Sequence, residues 1–485
     1  MSFYKTHRSM CLLGMAVFVL CSIIVTPAVA QKKMPNIIWI SSDDHGRHDL
    51  GTYGAPIHTP NLDRLAQEGM RFDNAFATSC SCSPSRSSIF TGKYSHAVDA
   101  EDLHVHLPYT ERTIGSVLRK VGYYSGNLAK WHLGPTARAD FDWFSDSDSD
   151  YRKFDEERPK DQPFFLHIGY HQPHRAFRPG RFNPPHDPAK VVVPAYMPDV
   201  PEVRQELAWY YDLIAMQDKL IGEMLAWLDE TGLADNTIIM YFGDQGAAFP
   251  RAKTTVYDSG LGVPFIVRWP GKVPAGTVND GLFSLVDLVP TLMEITGAPA
   301  PSRGIQGESA LPAILDPQAP GREYVYGERN WHDYDDHQRT VRSKRFRLIK
   351  NAFPEEPFGH GSDMVASLSY QAMLPLMHAG KLTVGQMKIF ATPRAEYELY
   401  DIQNDPNEFH NLAADQEYQD ELKTLQMELL RWMVSSRDVS PEKRMINDVN
   451  IRTGARTFRG YLHPPLPRVR NDAPIVMPDL KGLKP

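Results

Sequence analysis

The segment Cys82-Ser83-Pro84-Ser85-Arg86 places a nucleophile, a helix-starting proline and a fixed cation within five residues. Pro84 suits the first turn of a helix, so Cys82 is predicted just before a helix N-terminus. That position favours anions and lowers a cysteine's pKa. Arg86 adds a permanent positive charge in the first turns. Together they suit attack on a charged tetrahedral group such as sulfate or phosphate. Cys80 lies too close to Cys82 for an ordinary structural disulfide and reads as a small buried neighbour.

Those residues need elements to hold them. Asn36–Ser41 (NIIWIS) is a short apolar run rich in β-branched residues and predicts a buried strand ending at Asp43-Asp44. Phe164–Ile168, Thr237–Phe242 and Pro264–Trp269 predict three more, and the third run of the chain ends at Asp244-Gln245. Between them, Thr59-Pro60 starts one helix, Ile114–Val121 has helical spacing, and Gln205–Glu230 is a long amphipathic pattern. Apolar strands alternating with helices predict an α/β fold, a large, mostly parallel sheet sandwiched by helices. Ligands bind beyond the C-terminal ends of such strands, where both acidic clusters sit.

After about Pro320, Glu323–Tyr326 and Thr340–Lys350 read as strands with mixed faces, and Ala414–Trp432 as a helix. This predicts a smaller C-terminal antiparallel α+β domain, with the catalytic domain over 31–345 and the subdomain over 346–439. From 440 to 485 the chain is basic and proline-rich, an extended tail.

At the other end, Lys5 and Arg8 precede an apolar stretch that closes on Ala28-Val29-Ala30. This is the pattern of a secretory signal peptide over 1–30, so an exported, periplasmic or secreted protein is expected. Cys11 and Cys21 leave with it. No other run is apolar and long enough to span a membrane. With 42% hydrophobic and 23% charged residues, the composition excludes a disordered chain. A net charge of −7 makes nucleic acid a poor partner.

The cysteine segment, with Thr91-Gly92 downstream, resembles the signature of the type I, formylglycine-dependent sulfatases of the alkaline-phosphatase-like superfamily. Further motifs follow in that family's order: Asn36–Asp44, Gly126–Gly134 (GNLAKWHLG), Phe164–His174, Asp244-Gln245-Gly246, and Glu398–Leu412. The resemblance implies that Cys82 is converted by a formylglycine-generating maturation enzyme to 3-oxoalanine, whose hydrate is the nucleophile. It implies a Ca²⁺ site made by Asp43, Asp44, residue 82, Asp244 and Gln245, all but residue 82 supplying hard oxygen donors. Arg86, Lys130 and Lys253 would bind the sulfate oxygens. His132 would be the base that expels sulfate from the modified residue, and His174 would serve the leaving oxygen. The implied sequence is attack with inversion at sulfur, a covalent sulfate intermediate, and elimination.

His104, His106 and His332 could reach a sugar. Within the family, Cys-Ser-Pro-Ser-Arg and His171-Gln172-Pro173-His174-Arg175 look most like the heparan N-sulfatase branch. Gln172 and Lys253 depart from it, since that branch carries an acid and an arginine there. Lysine at the second position is the common O-sulfatase choice. The expectation is therefore an O-sulfatase acting on a sulfated polysaccharide or its oligosaccharides. An N-sulfoglucosamine sulfohydrolase, or a phosphonate or phosphodiester hydrolase of the same superfamily, is the alternative.

Overall fold

A computed structural model of the protein describes residues 34–438. The expected leader over 1–30 and the tail over 440–485 lie outside the described residues. The larger sheet has eight strands: β1 (Asn36–Ser42), β2 (Met70–Phe76), β3 (Tyr124–Ala129), β4 (Trp143–Ser145), β5 (Phe164–Gly169), β6 (Thr237–Gly243), β7 (Phe265–Arg268) and β8 (Thr277–Ser284). Their spatial order is β4-β3-β5-β1-β6-β7-β2-β8. All neighbouring pairs are parallel except those of β7, which runs against β6 and β2.

β1, the central strand, is buried along its whole length, as are β5 and β6 beside it. Helices therefore cover both faces, and these strands read as continuous apolar runs rather than alternating ones. Trp39 is fully buried and meets the edges of Phe90, Phe165 and Phe242 at ring separations of 5.8, 5.1 and 5.9 Å. Phe90 belongs to the helix Cys82–Thr91, so this aromatic cluster ties that helix to the middle of the sheet. The other face carries the long helix Pro201–Glu230, whose Leu207, Tyr210, Ile214, Ile221, Met224 and Leu228 join Ile38, Ile40 and Ile239 in the main core.

Helix α1 (Pro60–Glu68) starts after Thr59 as expected. Its free N-terminal amides are taken by the Asp218 carboxylate, which accepts from the backbone N–H of Asn61 and of Leu62 at 3.1 and 2.8 Å.

The second sheet is antiparallel, in the order β12-β11-β10-β9, from β9 (Val325–Arg329), β10 (Gln338–Arg342), β11 (Phe346–Asn351) and β12 (Tyr397–Asp401). The helix Gln419–Ser435 packs Leu422, Leu425, Leu429 and Trp432 against Val341, Leu348 and Leu399. Thr340–Lys350, expected as one strand, is a hairpin. The turn Ser343-Lys344-Arg345 holds no glycine, proline or asparagine to mark it. The expected boundary after residue 345 thus falls inside that hairpin, and the smaller sheet begins at Val325. This sheet also reaches the chemistry: Glu328 N–H donates to the Thr78 carbonyl at 2.8 Å, four residues before Cys82.

Candidate active site

Strand register puts the polar residues in a row. Ala129 of β3 pairs with Gly169 of β5, Ser41 of β1 with the same Gly169, and Ser42 with Gly243 of β6. The next residues out are Lys130, Asp43 and Asp244. Hydrogen bonds continue past the strand ends and hold them: Lys130 N to Gly169 O at 2.8 Å, Asp43 N to Gln172 O at 3.1 Å, Asp244 N to Ser42 O at 2.9 Å. Gly169 is required there, because a Cβ would lie 2.2 Å from the Lys130 carbonyl oxygen.

Helix α2 (Cys82–Thr91) meets this row end-on. Every one of its residues is buried, and its serines leave room for close packing on both sides. Cys82 is its first residue, with Ser81 as N-cap, one position further into the helix than expected. The Cys82 thiol lies 3.5 Å from Asp43 Oδ1, 3.7 Å from Asp44 Oδ1 and 3.3 Å from Gln245 Nε2. One turn on, Arg86 is fully buried; its Nε donates to Asp244 Oδ2 at 2.9 Å and its Nη1 to the Lys130 carbonyl at 3.3 Å.

Three carboxylates and three cations thus interleave around the thiol, one pair each. Lys130 pairs with Asp43, Lys253 with Asp44 at 2.8 Å, and Arg86 with Asp244. Burial favours the neutral form of each group, and the pairing opposes it. For Asp43 the nearby Lys130, His174, Arg86 and Lys253 win over burial and hold the carboxyl well below its ordinary range. For Asp244, burial together with the Asp43 charge pushes it up to about 6. Lys130 and Lys253 stay charged, raised above the ordinary value by their carboxylates despite burial.

The thiol behaves otherwise than the helix end alone predicts. Burial, aided by Asp43 and Asp44, raises the Cys82 pKa far above the ordinary value and outweighs Lys130 and Lys253. Cys80 packs in the apolar cluster of Phe76, Val256 and Ile349, and burial pushes its thiol up to about 12. It is the inert neighbour expected.

His174 lies beside the thiol, and His132 lies within electrostatic range of Lys130, Arg86 and Asp43. His174 Nε2 comes to 3.7 Å from Asp44 Oδ2, and its Nδ1 to 2.6 Å from the Arg175 carbonyl. His132 is pushed down to about 2 by burial, Lys130, His104 and Arg86, so it is a neutral imidazole with a free lone pair. Its Nε2 is 2.9 Å from His104 Nδ1, and its buried Nδ1 has no protein partner. Asp44, His104, Ala129, His132 and Thr254 all have φ between 55° and 67° without being glycine. Such left-handed residues cost on the order of 1 kcal/mol or more each, and these five lie in or next to the loops that carry the site.

The other expected sugar contacts divide. His332 is buried with its Nδ1 3.0 Å from Asp333 Oδ2, and the loop before it is bonded to the His104 loop through Leu103 N to Trp331 O at 3.1 Å. His106 is exposed and its ring lies against Gly134, so it is His104 that reaches His132. One residue near the cations escaped the sequence reading: Asp363, in the turn Gly359-His360-Gly361-Ser362-Asp363. The run of small and polar residues there was the only signal.

Ligand atoms of Asp43, Asp44, Cys82 and His174 lie within 4.8 Å of one another. The buried Gln245 Oε1 has no protein partner. An amide can present its oxygen by a half-turn. Together with Asp43, Asp44 and Asp244 it forms a set of hard oxygen donors that suits a divalent cation. Arg86 Nη2 is likewise buried without a protein acceptor, which leaves a donor for an oxyanion.

The chain matches the family model "Sulfatase" over residues 35–158 and 146–298, and the model "N-sulphoglucosamine sulphohydrolase, C-terminal" over residues 250–358. It is 32% identical to an ulvan-active sulfatase of Formosa agariphila, over 85% of this chain and 77% of that protein. It is 28% identical to human N-sulphoglucosamine sulphohydrolase, over 86% and 93% respectively. A solved structure of a protein in complex with its substrate D-glucosamine-2-N,6-O-disulfate superposes with a TM-score of 0.66 at 21% identity, covering 85% of this chain and all of that one.

Removing one member of a buried pair strands its partner's charge. Arg86→Met is therefore expected to lower the free energy of unfolding by about 3–5 kcal/mol. Arg86→Lys should cost clearly less. Urea unfolding of the two variants against the parent checks this, and equal stability would show that the pair does not hold α2 to β6.

Proposed function

Because the chain belongs to the sulfatase family, a family of sulfuric ester hydrolases, we propose that it removes O-linked sulfate from a sulfated polysaccharide or its oligosaccharides. The observation that carries the reading is the balanced buried set of three carboxylates and three cations around residue 82. Alone it has no net charge. A bound divalent cation gives it a net positive charge, which attracts the singly charged sulfate ester and offsets its charge in a medium of low dielectric.

Calcium is the proposed cation, held by Asp43, Asp44, Asp244 and Gln245 with residue 82 beside them, and it would polarise a sulfate oxygen. Residue 82 is proposed to be 3-oxoalanine in the mature enzyme, made by a maturation enzyme of the host. Its hydrate supplies an oxygen nucleophile where the Cys82 sulfur stands. Arg86, Lys130 and Lys253 would hold the sulfate oxygens and stabilise charge as the bond to the leaving oxygen lengthens. The buried, neutral His132 would take a proton through its free Nδ1. His104 would accept from the other nitrogen in that tautomer. His174, partly open to solvent, would donate a proton to the departing sugar oxygen.

An exported location is proposed from the N-terminal pattern, and no described helix is long and apolar enough to cross a membrane. The mixture of ulvan, glucosamine and galactosamine sulfatases among the relatives supports the sugar-sulfate class and both linkage types. Lys253 in place of arginine favours the O-linkage.

The central test joins mass and turnover. The peptide carrying residue 82 should weigh about 18 Da less than its cysteine form, an oxidation off the usual cysteine ladder. Defined sulfated oligosaccharides should release sulfate, and Cys82→Ala should abolish release. Undiminished turnover by that variant would remove the nucleophile assignment, and faster hydrolysis of an aryl phosphodiester than of an aryl sulfate would favour the phosphohydrolase alternative.

Calcium binding should raise the unfolding temperature of chelator-treated protein, by linkage to the folded state. Asp43→Asn should lose that rise. A rise of equal size in the variant would place the cation elsewhere.

A proton donor matters most for a poor leaving group. His174→Ala is expected to slow release from a sugar sulfate by roughly a hundredfold or more, and from a nitrophenyl sulfate by far less. Equal losses on both would assign His174 to binding instead.

A further inference from the structure

Asp363 belongs to a turn that is tied to the His332–Asp333 loop. Its short helix Ser362–Val365 is anchored by Asp333, which accepts from Ser362 N at 2.8 Å and from Ser362 Oγ at 3.4 Å. Asp333 also holds His332. Between them lies Gly361. A Cβ at Gly361 would fall 2.9 Å from Asp363 Oδ1 and 3.0 Å from His332 Cε1, so the carboxylate and the imidazole share the space that glycine leaves. The His332 loop is in turn fixed to the His104 loop, through Trp331 N to Asp102 Oδ1 at 3.0 Å.

The carboxylate lies within electrostatic range of four basic side chains. Burial acts to raise its pKa, and Lys253, His332, Arg175 and His174 together bring it below the ordinary value. Among the described residues no hydrogen bond or ion pair engages its oxygens. Asp363 is therefore a half-buried carboxylate beside His332 and within electrostatic range of Lys253 and His174, the two groups proposed to hold the sulfate and its leaving oxygen. Residue 363 also lies beyond the stretch that either family model matches.

We propose that Asp363 is a specificity-determining residue: it accepts a hydrogen bond from a free hydroxyl on the sugar residue that bears the scissile sulfate, and it excludes a second sulfate from that position. The proposal rests on the sulfatase reading above. A carboxylate can only accept, so a hydroxyl satisfies it and a sulfate cannot. Two anions in a partly desolvated pocket repel, which makes the residue a barrier against disulfated sugars as well as a contact for singly sulfated ones. Without the hydroxyl, the buried acceptor is left unpaired and the wrong substrate bears that cost.

The test measures kcat/KM for a singly sulfated sugar and for the same sugar carrying a second sulfate on the neighbouring hydroxyl. Parent, Asp363→Asn and Asp363→Glu are compared, with unfolding temperature as the control for folding. Asp363→Asn should move the ratio toward the disulfated sugar by about tenfold or more, chiefly through a lower KM for that sugar. Asp363→Glu should keep the parental preference. Asp363→Ser repeats the arm with a smaller side chain if the Asn variant does not fold. A folded, active Asn or Ser variant with an unmoved ratio overturns the proposal and leaves the sulfatase reading intact. Failure of the parent to release sulfate from any probe overturns that reading, and the proposal with it.

Discussion

Three carboxylates buried within a few ångströms of one another would repel and protonate if left alone. In this protein each is met by one cation, Asp43 by Lys130, Asp44 by Lys253 and Asp244 by Arg86. The rest of the architecture exists to keep those six groups together. A buried pair offsets its desolvation only when the geometry is held, and breaking it leaves a naked charge in the core. The geometry is held here by register. Four parallel strands, β3, β5, β1 and β6, end level with one another, and the residues that follow β3, β1 and β6 carry charges.

Helix α2 completes the arrangement from outside the sheet. It brings Cys82 and Arg86 in from one direction while the strands bring the acids from another. Its own stability comes from packing, since its serine-rich surface is buried throughout, between the Trp39 cluster and residues leading to the smaller sheet. The Thr78 to Glu328 link makes that sheet a buttress for the segment entering α2. The smaller sheet therefore contributes position to the chemistry, and the loops beside it contribute Asp363 and His332.

Much of this was legible in the residues. Asp43-Asp44 and Asp244-Gln245 follow short, β-branched apolar runs, which read as buried strands with their polar residues at the rim. Lys130 and His132 were legible through the GNLAKWHLG segment. Two kinds of feature were not. Antiparallel β7 and the β10–β11 hairpin are settled by tertiary pairing, and Ser343-Lys344-Arg345 lacks the residues that announce a turn. His106 and Asp363 also depend on loop paths. His104 and His106 are equivalent in sequence, yet only His104 adopts the left-handed backbone that faces His132.

The ionisation of Cys82 shows where local reasoning gives the wrong sign. A helix N-terminus and a nearby arginine stabilise a thiolate, by an amount that fades within one turn and is small when the charge must also leave water. Around Cys82 the burial is complete and the nearest oxygens belong to carboxylates, so the protein keeps the sulfur neutral even with two lysines in reach. A thiolate nucleophile is therefore poorly supported by the pocket as built. The same pocket suits an uncharged, oxygen-bearing side chain that lends a proton to a neutral base. His132, kept neutral by burial and by the Lys130 charge, is the group proposed for that part. The electrostatics that disable cysteine as a nucleophile are thus the ones that make its proposed oxidation useful.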